Sequence, residues 1–95
     1  MHDLSAFQRD LLFTIASLDE PNGLEIKNEL DEYYDDDINH GRLYPNLDEL
    51  VDKGLVEKGT IDDRTNSYSV TRRGERDLTS RLEWERKRVE SDMMA

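Results

Sequence analysis

The segment that most constrains the fold is residues 39–53, which is amphipathic and is followed at once by a turn and a strand. Its apolar residues recur at the three- and four-residue spacing that places side chains on one face of a helix. These residues are Leu43, Leu47, Leu50 and Val51. A polar stripe spaced four, three and four residues apart runs along another edge: Arg42, Asn46, Glu49 and Lys53. A helix of this kind packs its apolar face on a core and leaves its polar stripe accessible.

Two helices are predicted before this segment. Ser5 with Gln8, and Asn22 with Glu25, have the spacing of capping boxes at helix starts. The periodic apolar residues that follow predict helices over residues 5–18 and from 22 to near Tyr34. Residues 19–23 contain Pro and Gly and separate the two.

Pro45 leaves the start of the third helix open between two alternatives. Inside a helix a proline removes one hydrogen bond and crowds the carbonyl four residues earlier, which here belongs to Gly41. The first alternative is a helix over residues 39–53, capped by Asn39 and distorted in its first two turns. The second is a start near Leu43, with Pro45 in the first turn. Gly54 is expected to end the helix in a left-handed conformation.

The rest of the chain is predicted to form a β-hairpin and a last helix. Residues 55–61 and 66–70 are predicted strands joined by a turn over 62–65, and Thr71 is expected to cap a helix over 72–91. The chain is therefore predicted to be mainly α with a small β-hairpin, in one domain over residues 1–95. Residues 1–70 would form a winged helix-turn-helix and residues 71–95 a C-terminal dimerisation helix.

The net charge of −10 is distributed unevenly. Residues 1–37 hold 7 Asp and 4 Glu against Arg9 and Lys27, a net of −9, whereas residues 38–95 hold 12 acidic and 11 basic residues, a net of −1. Such asymmetry between halves is itself an indication of binding. Asp (13) exceeds Glu (10) and Arg (9) exceeds Lys (4), which favours a protein made for high salt. At 1 M salt, charge repulsion is screened over about 3 Å.

Catalysis, metal binding and membrane insertion find no support. The absence of cysteine excludes disulfides, thiol catalysis and zinc–thiolate sites, and no cofactor is expected. The acidic run that begins at Asp35 fails the EF-hand pattern, because His40 stands at loop position 6 and Asn46 at position 12. No apolar run approaches the ~18 residues of a membrane span, so we expect a cytoplasmic protein that does not contact a membrane.

Three segments carry a resemblance: PNGLEIKNEL at 21–30, INHGRLYPNLDELVDKGLV at 38–56 and YSVTRRGERDL at 68–78. With them the chain resembles the PadR family of transcriptional regulators over roughly residues 7–80. Within that family it most resembles the short haloarchaeal, RosR-like members. Gly-x-Leu-Tyr-Pro before Leu-x-x-Leu is a fairly specific motif. The resemblance implies a dimer, built through the C-terminal helix, that binds operator DNA. Many relatives have a longer C-terminal region that helps to form effector pockets. This chain stops at Ala95, which puts such a pocket in doubt and leaves a small-molecule effector an open question.

Nine side chains are predicted to contact double-stranded DNA: His40, Arg42, Tyr44, Asn46, Lys53, Lys58, Arg64, Arg72 and Arg73. Arg42 and Asn46 are candidates for base reading, with a phosphate contact or a solvated side chain as the alternative. Tyr44 either donates to a phosphate or completes the core edge, and His40 either touches phosphate or has no role. The cations at positions 53, 58, 72 and 73 are candidate backbone clamps or plain surface charges. Arg64 either enters a narrow minor groove or is a plain turn residue.

The last helix is predicted to form the dimer interface through Leu78, Leu82, Trp84, Val89 and Met93. Glu85 interrupts this stripe, so a long regular coiled coil is not expected, and Trp84 lies off it. The alternative is that the stripe packs back onto its own domain.

The predicted function is a sequence-specific regulator that represses by occupying a pseudo-palindromic operator as a homodimer. The alternative is a winged-helix protein-interaction module that holds a partner through its acidic first half.

Overall fold

The computed structural model describes residues 1–92, which form four helices and one hairpin. The elements are α1 (Ala6–Ser17), α2 (Gly23–Tyr34), α3 (His40–Asp52), β1 (Val56–Asp62), β2 (Thr65–Val70) and α4 (Arg72–Asp92). The predicted fold class is confirmed, and the predicted boundaries hold to within one or two residues. None of the helices in this described part is long and apolar enough to cross a bilayer.

Local hydrogen bonds explain where α1 and α2 begin. The amide of Gln8 donates to Oγ of Ser5 (3.1 Å), and the amide of Ser5 donates back to Oε1 of Gln8 (3.3 Å). In the same way the amide of Glu25 donates to Oδ1 of Asn22 (2.8 Å), and the amide of Asn22 donates to Oε1 of Glu25 (3.0 Å). Both predicted capping boxes are therefore present, and each satisfies amides that a helix start leaves without partners.

Helix α3 continues through Pro45, so the first of the two sequence alternatives is the one observed. Asn39 is the cap: its side chain accepts from the amide of Gly41 (2.6 Å), and its carbonyl accepts from the amides of Arg42 and Leu43 (both 3.0 Å). These three bonds fix the first turn ahead of the proline. At the other end Gly54 has a φ of +77°, the left-handed conformation that glycine adopts without strain.

A polar cluster fixes the connection between α2 and α3. The carboxylate of Asp31 accepts from Nζ of Lys27 (2.6 Å) and from the amide of Ile38 (2.8 Å). Lys27 also pairs with Asp37 (2.5 Å). The Lys27 hydrogen bond and the Ile38 amide together lower the pKa of Asp31. The acidic connection is thus tied to the end of α2, and this holds the start of α3 at a defined angle.

One apolar core joins α1, α2 and α3 to the inner face of the hairpin. Its buried members are Leu4, Phe7, Leu11, Leu12, Ile15, Ile26, Leu30, Ile38, Leu43, Leu47, Leu50, Leu55, Val56, Tyr68 and Leu78. They include the predicted apolar face of α3 at positions 43, 47 and 50, whereas Val51 is partly buried at the edge. Burial of a leucine of this kind contributes about 1.5–3 kcal/mol, so α3 is held firmly in place.

The hairpin is a two-stranded antiparallel sheet in which Val56 pairs with Val70 and Asp62 with Thr65. Its register shifts between Thr60 and Asp62, which leaves Ile61 outside the regular pairing. A short third pairing forms where the chain enters α2, because the amide of Tyr68 donates to the carbonyl of Pro21 (2.9 Å). The hairpin is thereby attached to the start of α2.

Helix α4 leaves the body of the domain. Its 21 residues extend about 31 Å at 1.5 Å per residue, and the longest dimension of the molecule is 52 Å.

Thr71 attaches the start of α4 to the rest of the domain. The amide of Thr71 donates to the carbonyl of Leu55 (3.0 Å), and its hydroxyl donates to the carbonyl of Gly54 (2.7 Å). Thr71 also accepts from the amide of Gly74 (3.1 Å), so the predicted cap is present and joins α4 to the end of α3.

Candidate nucleic-acid interface

The start of α2, the first half of α3 and the tip of the hairpin surround one open hollow of about 300 Å³. It is lined by Asn22, Gly23, Leu24, Tyr44, Arg64, Thr65, Asn66 and Tyr68. We call four of these residues, at positions 22, 44, 64 and 66, the wing-side group. Two predicted contact residues, Tyr44 and Arg64, are therefore brought together, although they lie twenty positions apart in the sequence.

Tyr44 occupies the centre of this surface. Its ring packs against Gly23 on one side and meets the ring of His40 edge-on at 5.7 Å between centroids. The side chain remains 38% exposed, so it contributes to both the domain and its surface. The two roles predicted for Tyr44, a phosphate contact and a place at the core edge, therefore do not exclude each other.

The tip of the hairpin is ordered by Asp62. One carboxylate oxygen accepts from the amides of Arg64 and Thr65, both at 2.9 Å. The Arg64 amide is the main cause of the lowered pKa of Asp62, which keeps this carboxylate ionised. Asp62 fixes the backbone of the turn and leaves the side chain of Arg64 exposed at its tip.

A second cation lies on the hairpin near the outer face of α3. Nζ of Lys58 is 3.6 Å from a carboxylate oxygen of Asp48. Tyr68 is also buried on the hairpin, and this burial raises its pKa, with the charge of Asp48 acting in the same direction. Lys58 therefore balances an acidic side chain on the exposed face of α3.

Arg42 and Asn46 form a separate α1-side group. The guanidinium of Arg42 lies 3.9 Å from the ring centroid of Phe7 in α1. Oδ1 of Asn46 accepts from Nε2 of Gln8 (3.0 Å), and its Nδ2 donates to the carbonyl of Arg42 (2.7 Å). Gln8 donates to Glu49 as well. The predicted polar stripe is present, but in this structure it contacts α1 and both ends of the Asn46 amide are engaged.

The same edge of α1 carries a tyrosine–carboxylate pair. The hydroxyl of Tyr34 donates to the carboxylate of Asp10 at 2.5 Å. Burial, and then this hydrogen bond to an anion, raise the pKa of Tyr34 to about 12. The tyrosine therefore stays protonated at physiological pH and links α2 to α1.

Lys53 and Arg73 form a far-end group near the chain start. Nζ of Lys53 is 3.6 Å from Asp3, and both basic side chains border a hollow that also includes Asp52 and Asp77. Arg73 lies beside Gly54 at the end of α3. Arg72 is exposed at the first residue of α4. Neither Lys53 nor Arg73 shares the hollow that Tyr44 and Arg64 line.

Sequence reasoning missed Gln8 and Gly23. Gln8 was identified only as a helix cap, yet it is also the one buried polar side chain among the described residues and holds two side chains of α3. Gly23 appeared only as part of a helix-breaking segment, yet its lack of a side chain admits the ring of Tyr44. Neither partner is local in sequence, so no local pattern could have identified these contacts.

The predicted dimer residues divide into three kinds. Leu78 is only 8% exposed and packs in the core of its own domain, so its part in a dimer interface stays a prediction. Leu82 (58%) and Val89 (46%) are exposed. Trp84 is 48% exposed, with the guanidinium of Arg81 4.7 Å from its ring centroid. Met93 lies outside the described residues.

Three helices with a hairpin packed against them define the winged-helix class of DNA-binding folds. A family model described as "Transcriptional regulator PadR-like family" matches residues 11–80. The chain therefore belongs to the PadR-like family of transcriptional regulators, as its motifs predicted.

Solved structures agree with this assignment. The chain resembles hsRosR in its complex with S1 at 48% identity and a TM-score of 0.91, over 96% of this chain and 80% of that one. It resembles RosR of H. salinarum at 47% identity and a TM-score of 0.83, over 94% and 89%. FabT of Streptococcus pneumoniae, in complex with DNA, shares the fold at 19% identity and a TM-score of 0.75, over 94% and 59%. The curated proteins include no significant match.

Proposed function

We propose that this protein binds specific sites in double-stranded DNA as a homodimer and represses transcription by occupying promoters. The wing-side group is the observation that supports this proposal most. It combines an accessible helix end, a hairpin tip bearing Arg64 and the hydroxyl of Tyr44 around one hollow. The likeness to RosR at 47–48% identity over nearly the whole chain supports the same function.

In the proposed complex the first half of α3 enters a major groove and the hairpin lies beside a minor groove. Arg64 is then placed to approach the minor groove, where a narrow A·T-rich segment attracts arginine. Tyr44 and His40 are placed to contact phosphates, which fix register without reading sequence. Lys58 reaches DNA only by exchanging its partner Asp48 for a phosphate.

Base reading rests mainly on Arg42 in this proposal. Its guanidinium is exposed, and leaving the Phe7 ring breaks a single cation–π contact of about 0.5–1 kcal/mol. Asn46 reads a base only after losing its hydrogen bonds to Gln8 and to the Arg42 carbonyl. Its role is therefore more consistent with support of α3 than with direct readout.

Substitution of Arg64 by alanine is expected to weaken binding to the preferred duplex by on the order of tenfold. The reason is the loss of one charge-assisted contact of roughly 1.5 kcal/mol at the hairpin tip. The probe is a labelled duplex obtained by selecting fragments of genomic DNA at high salt, and binding is measured by fluorescence anisotropy.

The matched control is Arg76→Ala, which removes the same charge from an exposed position of α4 that is not among the predicted contacts. We expect its dissociation constant to stay within about twofold of the unsubstituted protein. An equal loss in both variants would assign the effect to net charge and not to the hairpin tip. Absence of selective enrichment of any fragment would instead favour the protein-interaction module.

The homodimer is proposed from the exposed part of α4. Leu82 and Val89 are seven residues apart, so they lie on one face of the helix, and neither is covered within its own domain. A small domain gains stability when a partner covers such a face. A two-fold dimer would then engage half-sites about 34 Å apart.

Substitution of Leu82 by aspartate is expected to raise the dimer dissociation constant by at least on the order of 100-fold, because each subunit would bury an unpaired charge. Sedimentation equilibrium at high salt measures this directly. Ser80→Asp adds the same charge to the other side of α4 and should leave the dimer intact. Dissociation by Ser80→Asp but not by Leu82→Asp would move the interface to the side of Trp84 and overturn the proposed seam.

A further inference from the structure

The start of α2 and the first half of α3 meet at one crowded point. An ideal Cβ built on Gly23 would lie 2.7 Å from Cε1 and 2.8 Å from Cζ of Tyr44, and closer still to the hydroxyl oxygen. Unbonded carbon atoms approach each other to about 3.5–4.0 Å. A side chain at position 23 therefore cannot coexist with the observed position of this ring.

The backbone conformation at position 23 does not require glycine. Gly54 is the one glycine with a positive φ among the described residues, and Gly23 has the conformation of an ordinary helix start. Alanine is intrinsically favoured over glycine within a helix by about 1 kcal/mol. The reason for glycine here is thus the ring that packs against it.

The contact is made with the far end of a side chain that can rotate. Tyr44 is 38% exposed, and its ring is bordered on the other side by the imidazole of His40. A methyl group at position 23 would therefore displace the ring toward solvent without requiring the buried core to rearrange. The predicted consequence is a change in the surface of the hollow and little change in stability.

We propose that Gly23 is a positioning residue for DNA binding, which holds the ring of Tyr44 against the start of α2 so that its hydroxyl reaches a backbone phosphate. The inference rests on the proposed function. Arg64 borders the same hollow, and its positive charge favours the same anion. Gly23 itself makes no side-chain contact with DNA and acts through Tyr44.

The test is a double-mutant cycle on the full chain with the selected duplex. Gly23→Ala and Tyr44→Ala should each weaken binding about tenfold, and the double variant should be no weaker than either. The urea midpoint of Gly23→Ala should be no lower than that of the unsubstituted protein. Gly59→Ala is the matched control, because its Cβ would also meet a rotatable side-chain end, the hydroxyl of Ser67, and its affinity should not change.

An independent readout does not use DNA. In the free protein with labelled tyrosine, the ring resonance of Tyr44, identified by its absence in Tyr44→Phe, should shift in Gly23→Ala. An unshifted resonance, additive losses in the cycle, or a shifted resonance with unchanged affinity would each overturn the proposal. If the unsubstituted protein bound no DNA, the proposed function would fail, and the resonance would still show whether Gly23 positions Tyr44.

Discussion

Substitution of Gly74 by alanine is expected to lower the free energy of unfolding by about 3 kcal/mol, the upper end of the range for inserting a methyl group into a packed site. Gly74 is buried in the first turn of α4. An ideal Cβ there would lie 2.6 Å from Cγ1 of Val70 and closer still to the carbonyl oxygen of Leu55. That carbonyl is backbone and accepts from the amide of Thr71, so it has little freedom to move. The measurement is urea unfolding followed by circular dichroism at 222 nm.

Helix propensity acts in the opposite direction, since alanine is favoured over glycine by about 1 kcal/mol in a helix interior. The matched control is Ser80→Ala on the exposed surface of α4, where nothing opposes this gain and stability should be unchanged or slightly higher. Protein concentration must be held fixed, because the stability of a dimer depends on it. A Gly74→Ala variant as stable as the control would show that α4 is free to shift on the hairpin.

The starts of α1 and α2 could be predicted because their causes are local. Ser5 and Asn22 each bond a residue three positions later, and the sequence displays both partners. Gly54 is predictable for the same reason, since it follows the last residue of the periodic segment. The PadR-like motif then connects these local elements to a family fold, and the family match confirms that step.

Pro45 shows where local reasoning ends. The sequence supports either a distorted helix or a late start, and the outcome depends on whether other bonds compensate for the missing amide. Asn39 provides that compensation with three hydrogen bonds to the first turn. Burial of Leu43, ahead of the proline, stabilises the same turn.

The sequence indicates which side chains are candidates for the site but not which of them lie together. The spacing of Arg42 and Asn46 shows that they share an edge of α3, but not which neighbour that edge meets. Phe7 and Gln8 decide this from α1, more than thirty positions away in sequence. The burial of Leu78 in its own domain is not predictable for a related reason, since periodicity identifies an apolar face without showing which surface covers it.

The affinity for DNA is expected to respond weakly to salt, with a change of less than about tenfold between 0.5 M and 3 M potassium chloride. An ordinary interface with four phosphate contacts would lose roughly 600-fold over this range by counterion release. Here α3 exposes the carboxylates of Asp48 and Asp52 beside the predicted contact surface. Cations that bind between these carboxylates and DNA phosphates would be taken up on association and offset the release. Fluorescence anisotropy across this salt series measures the slope.

The variant Asp48→Asn/Asp52→Asn tests the cause of this weak response. Without two carboxylates, fewer cations are taken up, so the logarithmic slope should become more negative by about one for each substitution. The control is Glu29→Gln/Glu32→Gln, which removes equal charge from exposed positions in the second half of α2 and should leave the slope unchanged. Equal slopes for the two double variants would assign the effect to net charge. A steep loss of affinity in the unsubstituted protein would instead mean that the carboxylates of α3 take no part in binding, and that this acidic protein binds DNA through its arginine and lysine side chains alone.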